Sequence, residues 1–192
     1  MGDFKNEFSW SKSRDDIFQY CKRKYYYQYY GYWGGWDNDS PSREIYILKN
    51  LINKQMWIGQ VVHDGIKNLL LLHKASMEVS LSNLLNRIKN RLNEEFSISK
   101  SKSYRQFPKK VGLFEHEYDL LITKDEWDET FKSAEDNIKN FYNSDIFQSI
   151  KKTNKQNWIF LEDFLSFDYD GTKIYLQIDF AMKEEGKISI FD

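Results

Sequence analysis

The chain has 192 residues, enough for one domain with a real core and few for two. A net charge of −1 excludes a globally basic nucleic-acid coat, so phosphate binding falls to local patches, and 17% aromatic residues argue against disorder. The lone Cys21 excludes an intrachain disulfide framework and suits a reducing cytoplasm. No apolar run approaches the roughly 18 residues of a membrane span, and Met1-Gly2-Asp3-Phe4 lacks the apolar core of a secretory signal.

Residues 1–155 read as mainly helical and 156–192 as strands, a single α/β domain. A first helix is expected from Ser11 to Tyr30, capped by Ser11 or Ser13 and stopped by Gly31 and the Gly34-Gly35 pair. Its face carries Phe18, Cys21, Tyr25 and Tyr29, beside the cations Lys22, Arg23 and Lys24. Two readings stand: a core stripe with a solvated basic patch, or a surface where Tyr25 stacks on bases and the cations hold phosphates.

Ser42 to Leu72 predicts one or two helices with a break near Gly59. Within it His63 shares a helical face with Ile66 and Leu70, which fits a satisfied core histidine unless carboxylates lie nearby in space. Ser80 to Phe96 places Leu81, Leu84, Leu85, Ile88 and Leu92 at helical spacing, an amphipathic helix. From Ser97 to Phe114 there is no acid, while Lys100, Lys102, Arg105, Lys109 and Lys110 are present. This stretch reads as a basic loop, either a solvated linker or a phosphate-tracking flap. An acidic stretch follows, with a helix from Lys124 or Asp125 to Tyr142.

The last segment holds the most informative pattern. Asp170-Gly171 between β-rich runs is a strong signal for a two-residue hairpin, because Gly supplies positive φ. Tyr169 then pairs with Thr172, and Glu162 falls opposite Asp179. A second turn at Glu185-Gly186 places Asp179 opposite Asp192. Three neighbouring strands would carry a row of carboxylates with Cβ atoms roughly 5 Å apart, an unfavourable arrangement unless solvated or bridged by a cation. Hard divalent cations, Mg²⁺ or Mn²⁺, suit oxygen ligands of this kind. The chain stops as a strand reaches a candidate functional acid, and so reads as a fragment of a longer protein.

Other common signatures are absent: no Cys-x-x-Cys, phosphate loop, His-Glu-x-x-His or Gly-x-Ser-x-Gly. Three motifs together resemble the PD-(D/E)xK nuclease superfamily, in particular its RecB-type and CRISPR-associated exonuclease branch. The first is Phe8-Ser-Trp-Ser11 leading into Cys21-Lys-Arg-Lys-Tyr-Tyr-Tyr-Gln-Tyr-Tyr30. The second is Gly59-Gln-Val-Val-His63, similar to a Gly-x-x-x-His motif. The third is Gln177-Ile-Asp179 followed by Ile188-Ser-Ile-Phe-Asp192, similar to Gly-x-Ile-Asp and then Asp-x-Lys.

The resemblance implies a restriction-endonuclease-like fold. It makes His63, Asp179 and Asp192 metal ligands, with Glu162 as an additional acid and Asp179, Asp192 and Glu162 as the catalytic set. It also implies a lysine two residues past Asp192. The implied activity is metal-dependent DNA hydrolysis, of exonuclease type, in repair, recombination or CRISPR-type defence. The implied partners are single-stranded DNA or duplex ends and a helicase or CRISPR adaptation protein. Some relatives hold an iron–sulfur cluster through four cysteines; Cys21 alone does not support one. Gln177 and Lys22 depart from the usual Gly and Pro. The rival reading is a non-catalytic nucleic-acid-binding or assembly module that keeps the nuclease fold.

Overall fold

A computed structural model describes residues 8–184 and 186–191. The chain is mixed α/β, with helices through the first four-fifths and a three-stranded antiparallel sheet at the C-terminal end. Strands β1 (Trp158–Tyr169), β2 (Thr172–Glu184) and β3 (Lys187–Phe191) lie in the order β1-β2-β3.

The hairpin chemistry sets the sheet. Asp170 and Gly171 adopt φ of 48° and 70°, the positive values a tight I′ turn needs. Tyr169 pairs with Thr172 as expected, and the register holds through Asp163↔Ile178 and Leu161↔Phe180. It slips only between Phe160 and Trp158. Across the second turn Glu184 pairs with Lys187 and Phe180 with Phe191. The expected partner of Asp179 in that register, Asp192, lies outside the described residues.

Helix α4 (Lys54–Lys74) is the spine of the helical part. Asn53 caps it, its side chain accepting from the Met56 N–H at 2.8 Å. The Glu115 carboxylate accepts a further N–H at the same end, from Lys54, at 2.9 Å. Trp57, Val61, Gly65 and Leu69 form its buried stripe at every fourth position. Gly65 allows the closest approach: a Cβ there would lie 2.7 Å from Ile88 Cδ1 and 3.0 Å from Ile138 Cδ1. Those isoleucines belong to α5 (Leu81–Lys100) and α7 (Lys124–Asn143), which pack on α4. The short α8 (Asp145–Lys152) adds Phe147 and Ile150. Trp158, Leu161, Phe180 and Met182 close the same core from the sheet.

Several expected boundaries move. The break expected near Gly59 falls instead at residues 50–53, between α3 (Arg43–Lys49) and α4. Ile52 there leaves the helical path to bridge Leu113 in parallel, and Gly59 sits inside an unbroken helix.

The helix expected over Ser11 to Tyr30 is three pieces: α1 (Lys12–Tyr20), α2 (Lys22–Tyr26) and a π-helical turn, Tyr27–Gly31. Cys21 makes the break with φ −161° and ψ 107°. Its N–H ends α1 on Ile17 O, and its Sγ accepts from Lys24 N. Ser11 caps α1 as expected.

The stretch from Ser97 is not a loop throughout. Its first four residues extend α5, and Ser103–Arg105 forms a 3₁₀ turn before α6 (Phe114–Glu117). Buried Ser99 fixes this course, its Oγ accepting from Leu113 N at 2.8 Å and meeting His116 Nδ1 at 2.8 Å. Among the described residues no helix is long and apolar enough to cross a membrane.

Candidate metal centre

Three side chains from three elements converge beside the middle of α4. His63 Nε2 lies 3.3 Å from Asp179 Oδ2 on β2 and 3.4 Å from Glu162 Oε1 on β1. One ligand atom from each residue falls within 4.8 Å of the others, a spacing a single cation can bridge. The register explains how the acids meet. Glu162 sits between the pairs Leu161↔Phe180 and Asp163↔Ile178, across from Asp179.

The Glu162 backbone is unusual. Its φ is +60°, left-handed and rare in a strand, which costs an L-residue about 1–2 kcal/mol. The turn is held locally: Leu161 N–H donates to Asp163 Oδ2 at 2.9 Å. The carboxylate is nearly buried, and its two oxygens have different surroundings. Oε2 accepts from Lys67 Nζ at 3.2 Å and from Gln177 Nε2 at 3.1 Å, while Oε1 faces His63. One oxygen is anchored and the other points at the shared position.

His63 is held on both sides. Nδ1 lies 3.7 Å from Asp64 Oδ1, and Asp64 is itself held by Arg91 at 2.8 Å. Arg91 also pairs with Glu95, which accepts from the buried Trp57 indole at 2.6 Å. This chain ties the histidine to the core of α4. Burial disfavours the His63 imidazolium, but the hydrogen bond to Asp179 and the fields of Glu162 and Asp179 outweigh it. The His63 pKa therefore lies above its ordinary value. A proton on Nε2 and a cation bound there would satisfy the same two carboxylates, so they compete.

The donor set, one imidazole nitrogen and two carboxylate oxygens, fits a divalent ion with coordination positions left for substrate. Mn²⁺ accepts such a mixed set, and Mg²⁺ takes the oxygens. Cys21 is half-buried in a helix cap and, as the chain's only cysteine, cannot build an iron–sulfur cluster. Asp192 lies outside the described residues.

Two site groups were not read from the sequence. Lys67 follows His63 by four positions on α4 and so shares its face, a spacing visible in the sequence. Gln177 lies on β2 two residues before Asp179, and its amide is one of the two groups that fix Glu162.

The candidate nucleic-acid residues lie elsewhere. Trp10 bridges Ile174 through Trp10 N–H to Lys173 O at 2.9 Å and Tyr175 N–H to Trp10 O at 3.1 Å. That point is five residues along β2 from Asp179, about 17 Å at roughly 3.4 Å per residue. Tyr25 is buried, its ring packed among Trp10, Phe18, Tyr29 and Tyr30, so it offers no face for stacking. Lys22, Arg23 and Lys24 are exposed, and the rings on that surface are Tyr20, Tyr26 and Tyr27.

In the other patch Lys102 pairs with Asp119 at 3.1 Å, and Arg105 pairs with Glu44 and Glu117. The Arg43 guanidinium donates to the carbonyls of Arg105 and Gln106, both at 3.2 Å, and clamps this stretch to the N-terminal region. Lys100, Lys109 and Lys110 remain on the surface.

The chain matches no protein-family model, no curated protein and no solved structure.

Proposed function

We propose that this chain is a metal-dependent nuclease domain of the PD-(D/E)xK type, with a restriction-endonuclease-like core, that hydrolyses phosphodiester bonds in DNA. The observation that carries the proposal is the convergence of His63, Glu162 and Asp179 from a helix and two strands beside the ammonium of Lys67. Like-charged acids facing each other across a ladder are unfavourable. Here both meet one imidazole and Glu162 alone also meets a lysine, an arrangement that suits a removable cation.

His63, Glu162 and Asp179 would hold the ion. A divalent cation there supplies Lewis acidity toward a phosphoryl oxygen and lowers the pKa of water. The chain's own groups do the rest. Lys67 and Gln177 keep Glu162 pointed at the shared position. Arg91 and Asp64 hold the imidazole. Lys67 also places positive charge where a phosphate would approach. None of these contacts reads a base edge, so hydrolysis would depend little on sequence.

The test is Mn²⁺-dependent degradation of single-stranded DNA by the protein extended through the lysine that the resemblance implies, paired with Mn²⁺ binding by calorimetry. Asp179→Ala is expected to abolish both. DNA degradation that survives Asp179→Ala would refute the assignment. Mn²⁺ and DNA binding without hydrolysis would favour the rival reading of a binding module on a nuclease fold.

A further inference from the structure

The candidate metal residues form one wall of a pocket of about 340 Å³, at the small end of the ~300–1,000 Å³ typical of small-ligand sites. Its chemistry is divided. His63, Glu162, Asp179 and the Lys67 ammonium occupy one side. The remaining walls are apolar: Val62, Ile66 and Leu70 from α4, Phe141 from α7, Ile150 from α8 and Phe180 from β2. With a cation seated among these acids, a ligand that fits has an anionic group at the polar end and a compact apolar body attached to it.

Resting on the nuclease reading above, we infer that this pocket receives the nucleobase adjoining the phosphate under attack, and that the substrate is therefore single-stranded DNA or a frayed end. A nucleotide has the required division of charge: its phosphate would meet the cation and Lys67 while its flat base enters the apolar chamber. Aliphatic and aromatic walls accept any of the four bases by their faces, and offer few groups to read their edges. A base inside a duplex cannot enter without leaving its stack, so paired DNA is disfavoured by the cost of unpairing.

The experiment uses the whole chain with Mn²⁺ and a short, hydrolysis-resistant phosphorothioate thymidine oligonucleotide. One abasic residue is moved along the oligonucleotide, and affinity is read by fluorescence anisotropy. Removal of the base at one position is expected to weaken binding about tenfold, with much smaller losses elsewhere. Ile66→Trp, which fills the chamber, is expected to erase that positional difference while Mn²⁺ binding by calorimetry is unchanged. Ile146→Glu, at the exposed rim, is expected to do the same without disturbing the core. Mn²⁺ binding with equal affinity for every abasic position would overturn the base pocket alone. Failure of the wild-type chain to bind Mn²⁺ would overturn the metal reading beneath it.

Discussion

Lys67→Met separates the two charges that compete for Glu162. Lys67 Nζ lies 3.2 Å from Glu162 Oε2. At that separation the Coulomb attraction is about 5 kcal/mol at an effective dielectric of about 20 and about 1.3 kcal/mol at that of water. The lysine side chain is 35% exposed, so the lower figure governs. A cation seated between His63, Glu162 and Asp179 meets the same ammonium as a repulsion of similar size. Lys67→Met is therefore expected to tighten Mn²⁺ binding by up to about tenfold, since about 1.4 kcal/mol is a factor of ten.

The metal-free variant should melt lower than wild type, because a carboxylate only 8% exposed loses its nearest positive partner. Saturating Mn²⁺ should narrow that gap, because both proteins gain stability from the ion and the variant, binding it more tightly, gains more. Titration calorimetry and melting with and without Mn²⁺ measure both effects. Mn²⁺ affinity that is unchanged or weakened in Lys67→Met would refute the idea that lysine and metal share Glu162. DNA hydrolysis should nonetheless fall, because the positive charge facing the phosphate is gone.

The raised pKa of His63 gives a pH dependence with a definite sign. In the metal-free protein its stabilisation is fully present below the unfolded histidine pKa of about 6.5 and is lost as pH rises through the higher folded value. The melting difference between wild type and His63→Asn should thus be largest in mild acid, while Mn²⁺ affinity of the wild type weakens over the same range. Two glycines of α4 should respond oppositely. Gly59→Ala meets nothing within 4 Å and should stabilise by about 0.5–1 kcal/mol, whereas Gly65→Leu collides with Ile88 and Ile138 and should cost about 1–3 kcal/mol in urea unfolding. Arg105→Ala leaves the nearly buried Glu117 carboxylate with the Tyr104 hydroxyl but without its guanidinium partner and should destabilise by about 1–3 kcal/mol. Lys109→Ala and Lys110→Ala should leave stability unchanged; if this patch holds DNA, they should also flatten the salt dependence of binding.

The sheet was legible because its determinants are local. Asp170-Gly171 fixes a turn, the turn fixes a register, and the period of two carries that register seven pairs away to Glu162 and Asp179. The one slip, between Phe160 and Trp158, lies beyond the site and leaves it untouched. The cap of the first helix was legible for the same reason, at Ser11.

What the sequence hid depends on distant partners. Nothing near Cys21 forbids a continuous helix, with neither proline nor glycine present. The break accompanies the docking of Trp10 on β2 and the packing of Tyr25 against it. The basic stretch looked unpaired because its acids are distant or past its end: Glu44 is 61 residues from Arg105, and Glu117 is 12. The same holds for Lys67 and Glu162, separated by 95 positions.

Glu162 shows which part of this geometry the fold does not itself require. The ladder pairs Leu161 with Phe180 and Asp163 with Ile178, so the register is the same on both sides of the distortion. An ordinary extended residue at 162 would fit that ladder at lower backbone energy, by about 1–2 kcal/mol. The left-handed turn therefore adds nothing to strand pairing. It changes the direction of one side chain, and along that direction lie Lys67, Gln177 and His63, contributed by α4 and β2. Strain that persists without serving the pairing, and that aims a nearly buried carboxylate at a histidine and a second acid, is expected of a position kept for binding.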